Sequence, residues 1–165
     1  MKKAHVSFRQ FLDYFPEVEL PVTLTDESAR DFSRHNEPLP PAVIEQHILP
    51  LEAEVDEWTE FVPCFRIPAT YGFHALVYWR AGLMNYHFAL ATFTKEGALI
   101  DRQVIAGTIS DGQTLLHSMA VMDEDWEILI LSGTTGADAT ASYNASTSKA
   151  RKLEMMPDGR IIDLK

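Results

Sequence analysis

From Phe61 onward the chain is a succession of short runs rich in β-branched, aromatic and aliphatic side chains, divided by turn signals at Ala81-Gly82, Lys95-Glu96-Gly97, Glu124-Asp125 and Pro157-Asp158-Gly159. Gaps of hairpin size leave room for antiparallel neighbours and none for the crossover helices that a parallel sheet requires. The spacing predicts strands near 61–68, 73–80, 83–94, 98–106, 114–122, 126–132, 149–156 and 160–164. The expected β part is therefore a strongly twisted antiparallel meander of about seven or eight strands, open or curled toward a half-barrel.

The first 60 residues follow another pattern. Ser7 with Gln10 reads as a capping box, and Phe8, Phe11, Leu12 and Phe15 recur at helical spacing until Pro16. Glu19 to Leu24 reads as a short strand that Pro21 confines to an edge or a bulge. Asp26 is placed to cap a further turn reaching about Phe32. Pro40-Pro41 then introduce a brief helix over 42–49, ended by Pro50. Leu51 to Glu60 is an acidic strip around Trp58, read as solvated. The sum is an α+β fold in one domain, 1–165, with short N-terminal helices packed on the meander and a flexible Gly/Ala/Thr/Ser segment near 133–148. Asn144-Ala145-Ser146 in that segment matches a glycosylation sequon and is read as a chance match, since no secretion signal precedes it.

Composition removes several classes of function. A chain of 165 residues buries a core without disulfides or a structural metal. Asp and Glu number 24 against 14 Lys and Arg, for a net charge of −10 with no basic run, which argues against nucleic acid and against anionic membranes as partners. A protein partner or a small ligand remains. No apolar run of about 18 residues is present to form a spanning helix. The polar Ser7, Arg9, Gln10 and Asp13 interrupt any leader after Met1-Lys2-Lys3, so the expected location is cytoplasmic. Cys64 is the single cysteine and lies between apolar neighbours, so it reads as a buried thiol. No G-x-S-x-G elbow, phosphate-binding loop or dinucleotide fingerprint occurs, and no cofactor is implied.

Alternation along strands sharpens the search for a site. With Ala81-Gly82 as a two-residue turn, Leu76 pairs with His87 and His74 with Ala89. With Lys95-Glu96-Gly97 as a three-residue loop and Gly97 left-handed, Ala91 pairs with Asp101 and Ala89 with Gln103. One face then carries Ala75, Val77, Trp79, Phe88, Leu90 and Val104, with Arg102 as its exception. The other carries His74, Tyr78, His87, Asp101 and Gln103 over a floor of alanines, and these five are the candidate ligand-binding residues. Two histidines and a carboxylate at that spacing would suit a metal or a general acid–base pair, though no local motif supports either. The alternative is that the N-terminal helix and the proline-rich segment cover this face. His117-Ser118 forms no nucleophile–base pair, because adjacent strand residues point to opposite faces.

Phe11 to Leu24, with its Leu20-Pro21-Val22-Thr23-Leu24 entry strand, and Tyr86 to Gly107, with the Thr92 to Asp101 hairpin, together resemble uncharacterised bacterial proteins, many from Bacteroidetes; these segments cover 36 of 165 residues. The resemblance implies a helix, an entry strand and a meander, and no activity. Many of those proteins look exported. Three functional expectations stand: a non-catalytic binding or interaction module; a small hydrolase or lyase using His74, His87 and Asp101; or an acidic inhibitor or immunity-type protein presenting Leu51 to Glu60 to a basic partner.

Overall fold

The computed structural model describes residues 5–83, 85–110, 112–136 and 148–164. It has the α+β architecture that the sequence patterning implies, with a nine-stranded antiparallel sheet. Eight strands run as an unbroken meander: β2 (Glu60–Arg66), β3 (His74–Ala81), β4 (Asn85–Phe93), β5 (Leu99–Ser110), β6 (Thr114–Met122), β7 (Glu127–Gly136), β8 (Lys149–Met155) and β9 (Ile161–Leu164). The ninth, β1 (Val22–Leu24), pairs with the end of β6, where β5 has already turned away. Gly133 to Gly136 extend β7 rather than opening a loop, because they continue the ladder opposite Thr114 to His117. The remainder of the predicted loop and its sequon lie outside the described residues.

Three helices precede the meander. In α1 (Phe8–Leu12), Ser7 and Gln10 form the expected capping box. The next helix, α2 (Asp26–His35), is capped by Thr25 with Ser28 rather than by Asp26, and it runs three residues past Phe32. α3 (Pro41–Val43) continues as a π turn over Ile44–Ile48 and a 3-10 turn over Leu49–Leu51. Pro50 does not stop it: in that last turn it occupies the first positions, where a missing N–H costs nothing.

Both faces of the central strands are covered. One face packs Val77, Phe88 and Leu90 against Leu24, Met122, Ile128 and Leu153, and Phe32 of α2 joins this cluster. On the other face Leu76, Tyr78, Ala89 and Ala91 lie beneath Phe11 and Phe15 and beneath Val43 and Ile48. The N-terminal helix and the proline-rich segment thus do cover the mixed face. The alanine floor makes that close approach possible. Cys64 is fully buried, and burial pushes its thiol pKa up.

Two features of register decide which side chains meet. The β3–β4 reversal lies between Gly82 and Asn85, so Leu76 opposes Ala91 and His74 opposes Phe93. That displacement of four positions leaves every residue on its expected face. In β5 the loop is as expected, with Gly97 left-handed at φ 99. However, Ile100 is an extra residue between the pairs Phe93–Leu99 and Thr92–Asp101. A one-residue bulge inverts the faces of the residues beyond it, from Asp101 to Val104, until a second bulge at Ile105 restores them.

Candidate functional site

The inverted stretch separates the five predicted residues. Tyr78 and His87 stay on the mixed face, but Asp101 and Gln103 stand opposite Thr92 and Leu90 on the other. The Asp101 carboxylate accepts the Ile161 N–H at 2.9 Å and the Arg102 N–H at 2.8 Å, which fastens β9 to β5. Thr92 adds a second tie by donating its hydroxyl to the Gly159 carbonyl at 2.6 Å. His74 opposes Phe93, six positions along β4 from His87, so strand rise alone separates the two histidines by about 20 Å. It lies against Phe8, with ring centroids 5.7 Å apart, and its pKa is lowered by burial and by the nearby Lys95, Arg66 and Arg9. The expected His74–His87–Asp101 constellation is therefore not assembled, and the Ile100 bulge together with strand length is the reason. Among the described residues no group of three or more His, Cys, Asp or Glu side chains is placed to share a metal ion.

What the bulge brings to Tyr78 and His87 instead is Arg102. Its Nη2 donates to both Glu52 oxygens at 3.0 Å, and its Nε donates to the Tyr78 hydroxyl at 2.9 Å. The Tyr78 hydroxyl in turn donates to Glu52 Oε1 at 2.8 Å. Arg80 Nε lies 3.7 Å from the same carboxylate, and its Nη2 donates to the Glu54 carbonyl at 2.6 Å. Glu52, only 6% exposed, is thus not part of a solvated strip but the bolt by which the 49–52 turn closes over the sheet. Burial dominates the raised pKa of Tyr78, so its phenol stays protonated. His87 lies across the ladder from Arg80, and neither of its ring nitrogens has a hydrogen-bond partner among the described residues. Burial first, then repulsion by Arg102 and Arg80 against the opposing pull of Glu52, lowers its pKa to about 4, so the ring is neutral near pH 7. This cluster is a polar core of two arginines on one carboxylate, and it leaves the buried Arg80 Nε, like the two His87 nitrogens, without a hydrogen bond among the described residues.

The open ground lies on either side of α2. A cleft of about 650 Å³ is lined by Thr25 and Asp26, by His117 and Met119 of β6, and by Leu131 and Ala150 of β7 and β8. Its polar groups are fixed by a proton-ordered chain. The Thr108 hydroxyl donates to the Asp26 carboxylate at 3.0 Å, so its oxygen must accept from His117 Nδ1, also at 3.0 Å. His117 therefore donates from Nδ1, and its Nε2 lies 3.3 Å from the Thr135 hydroxyl. Across the helix a second groove of about 520 Å³ lies between α2 and strands β2 to β4.

No protein-family model, curated protein or solved structure matches the chain.

Sequence patterning missed Glu52, Arg102 and the Asp26–Thr108–His117 chain for different reasons. The last joins residues 82 and 9 positions apart, with no local signature. Glu52 sat in a run whose other acids, Glu54, Asp56 and Glu57, are indeed exposed. Arg102 did carry a signal, as the one charge on an otherwise apolar face.

Proposed function

We propose that the chain is a non-catalytic binding module whose ligand seat is the cleft beside His117. One observation carries this reading: the cleft joins aliphatic walls from Met119, Leu131 and Ala150 to a few convergent polar groups ordered by a hydrogen-bond chain, the usual make-up of a small-ligand site. The enzymatic alternative loses support because its three side chains stand on different faces or about 20 Å apart. The test is two-dimensional amide NMR with a panel of small neutral ligands of indole or naphthol size. Saturable shifts at Thr25, His117, Met119 and Leu131, abolished by the exposed substitution Leu131→Arg, are expected. Absence of shifts there up to about 1 mM, a millimolar limit corresponding to only about −4 kcal/mol of binding, would refute the seat.

A second reading draws on the strip from Ala53 to Trp58, where every residue is exposed and Trp58 is 65% exposed among Glu54, Asp56 and Glu57. It would present acids and one aromatic anchor to a basic partner. Binding of a basic, aromatic-containing peptide that weakens steeply with salt and with Trp58→Ala would support it; salt-insensitive binding would count against it.

A further inference from the structure

The groove on the other side of α2 has a chemistry of its own. Its floor follows from the ladder: Glu60, Ala81 and Tyr86 form one cross-strand row, and Val62, Trp79 and Phe88 the next. Trp79 touches Tyr86 and Phe88, with ring centroids 5.6 and 4.7 Å away. α2 crosses above, anchored by Phe32 on Phe65 and Phe88 and by Asn36 donating to the Pro63 and Cys64 carbonyls. That anchoring turns Arg30, Ser33 and Arg34 to the groove.

Three features together point to a ligand. Arg30 and Arg34 are exposed, one helical turn apart, and neither has an ion-pair partner among the described residues of a chain with net charge −10. α2 carries its charges as four-residue pairs, and of these Arg30 and Arg34 line the groove whereas Glu27 and Asp31 do not. Lastly, neither the Trp79 indole N–H nor the Tyr86 hydroxyl bonds another described residue, so two further donors accompany the guanidinium groups. Two carboxylates, Asp26 and Glu60, also line the groove; that of Asp26 is engaged by Thr108, and charges elsewhere on the protein are screened beyond about 8 Å at physiological salt.

We infer that this groove binds a phosphate monoester carrying an aromatic group, the phosphate held by Arg30 and Arg34 and the ring laid along Tyr86 and the exposed edge of Trp79. Two arginines match a group that carries nearly two negative charges and three acceptor oxygens better than a single carboxylate. The inference rests on the chain being a binding module, but on a different groove from the one beside His117.

The test titrates phenyl phosphate, inorganic phosphate and benzyl alcohol into the full chain by amide NMR. Phenyl phosphate should shift Arg30, Arg34, Tyr86 and the Trp79 indole N–H with a Kd on the order of 100 µM at low salt. Arg30→Gln and Arg34→Gln should each weaken it about tenfold, and raising salt should weaken it in the unaltered protein. A nucleoside 5′-monophosphate and a phosphotyrosyl peptide, run in parallel, tell a free metabolite from a protein segment. Equal binding of inorganic phosphate would overturn the role of the ring. No binding by 10 mM, or binding indifferent to both substitutions and to salt, would overturn the site. Failure here leaves shifts at Thr25, His117, Met119 and Leu131 untouched, so the two readings fail separately.

Discussion

Replacing His87 by leucine should make the protein more resistant to acid, because the imidazole is a buried base that gains nothing from its surroundings. It is 8% exposed and both nitrogens lack partners among the described residues, so leucine, of similar size, removes no hydrogen bond seen there. The groups facing it are Arg80 across the ladder, Arg102 from β5 and Glu52 from the covering turn, and two of the three repel a proton. The folded pKa is lowered to about 4 from 6.5, so between those values the unfolded chain binds a proton that the folded chain refuses. Stability from this residue is therefore complete above about pH 6.5 and is lost as pH falls toward 4, with a ceiling of about 3 kcal/mol at 1.36 kcal/mol per pKa unit. His74, also lowered, acts in the same direction and remains in the variant. Urea unfolding followed by tryptophan fluorescence should find His87→Leu within about 1 kcal/mol of the parent at pH 7 and about 2 kcal/mol more stable than the parent at pH 4.5. Parallel stability curves for the two proteins between pH 7 and 4.5 would show that His87 is solvated or paired, and would refute the burial argument.

Glu52→Ala leaves Arg102 and Arg80 facing one another without a counter-charge, and should cost about 2–4 kcal/mol in urea unfolding, the lower part of that range reflecting the 21% exposure of the Arg102 side chain. Glu52→Gln, which keeps an acceptor for Tyr78, should cost clearly less. Asp101→Asn should cost about 1–2 kcal/mol and should accelerate hydrogen exchange at the Ile161 amide, its partner at 2.9 Å, more than at other β9 amides. Gly107 has φ 141 and passes so close to Tyr86 and His87 that a methyl group would overlap their backbone, so Gly107→Ala should destabilise by about 3 kcal/mol or more, read as a drop in Tm.

The order of the strands was legible because turn residues mark several hairpins locally: Gly97 and Gly159 take the positive φ their turns need, and ahead of the meander Ser7 with Gln10 forms its box. The mixed face of β3 and β4 was legible even with the reversal misplaced, since an even displacement preserves parity. Asp101 and Gln103 were assigned to the wrong face because a bulge is an odd displacement, and Ile100 looks like any other strand residue in sequence. The two grooves beside α2 depend on where that helix lies across the sheet, which Phe32 and Asn36 set through partners on β2 and β4 far away in sequence.

The bulge could still have been found by weighing energies rather than patterns. In a regular ladder Asp101 would oppose Ala91 and face the Glu52 carboxylate, while Arg102 would oppose Leu90 and enter the apolar cluster with no counter-charge. An uncompensated buried charge costs roughly 3–5 kcal/mol, and two like carboxylates in one enclosed site add to that. Inserting Ile100 and Ile105 disturbs two ladder positions, at about 1 kcal/mol for each hydrogen bond lost. Part of that is returned when Ile105 and Ile100 are packed into the core. The bulged register therefore wins by about 1–3 kcal/mol on these terms. It places Arg102 against Glu52 and Asp101 against the Ile161 amide, so the same two insertions close the N-terminal segment over one face and tie β9 to the other. An arginine standing alone on an otherwise apolar strand face is therefore best treated as a register marker, to be resolved before any cleft is drawn from the alternation around it.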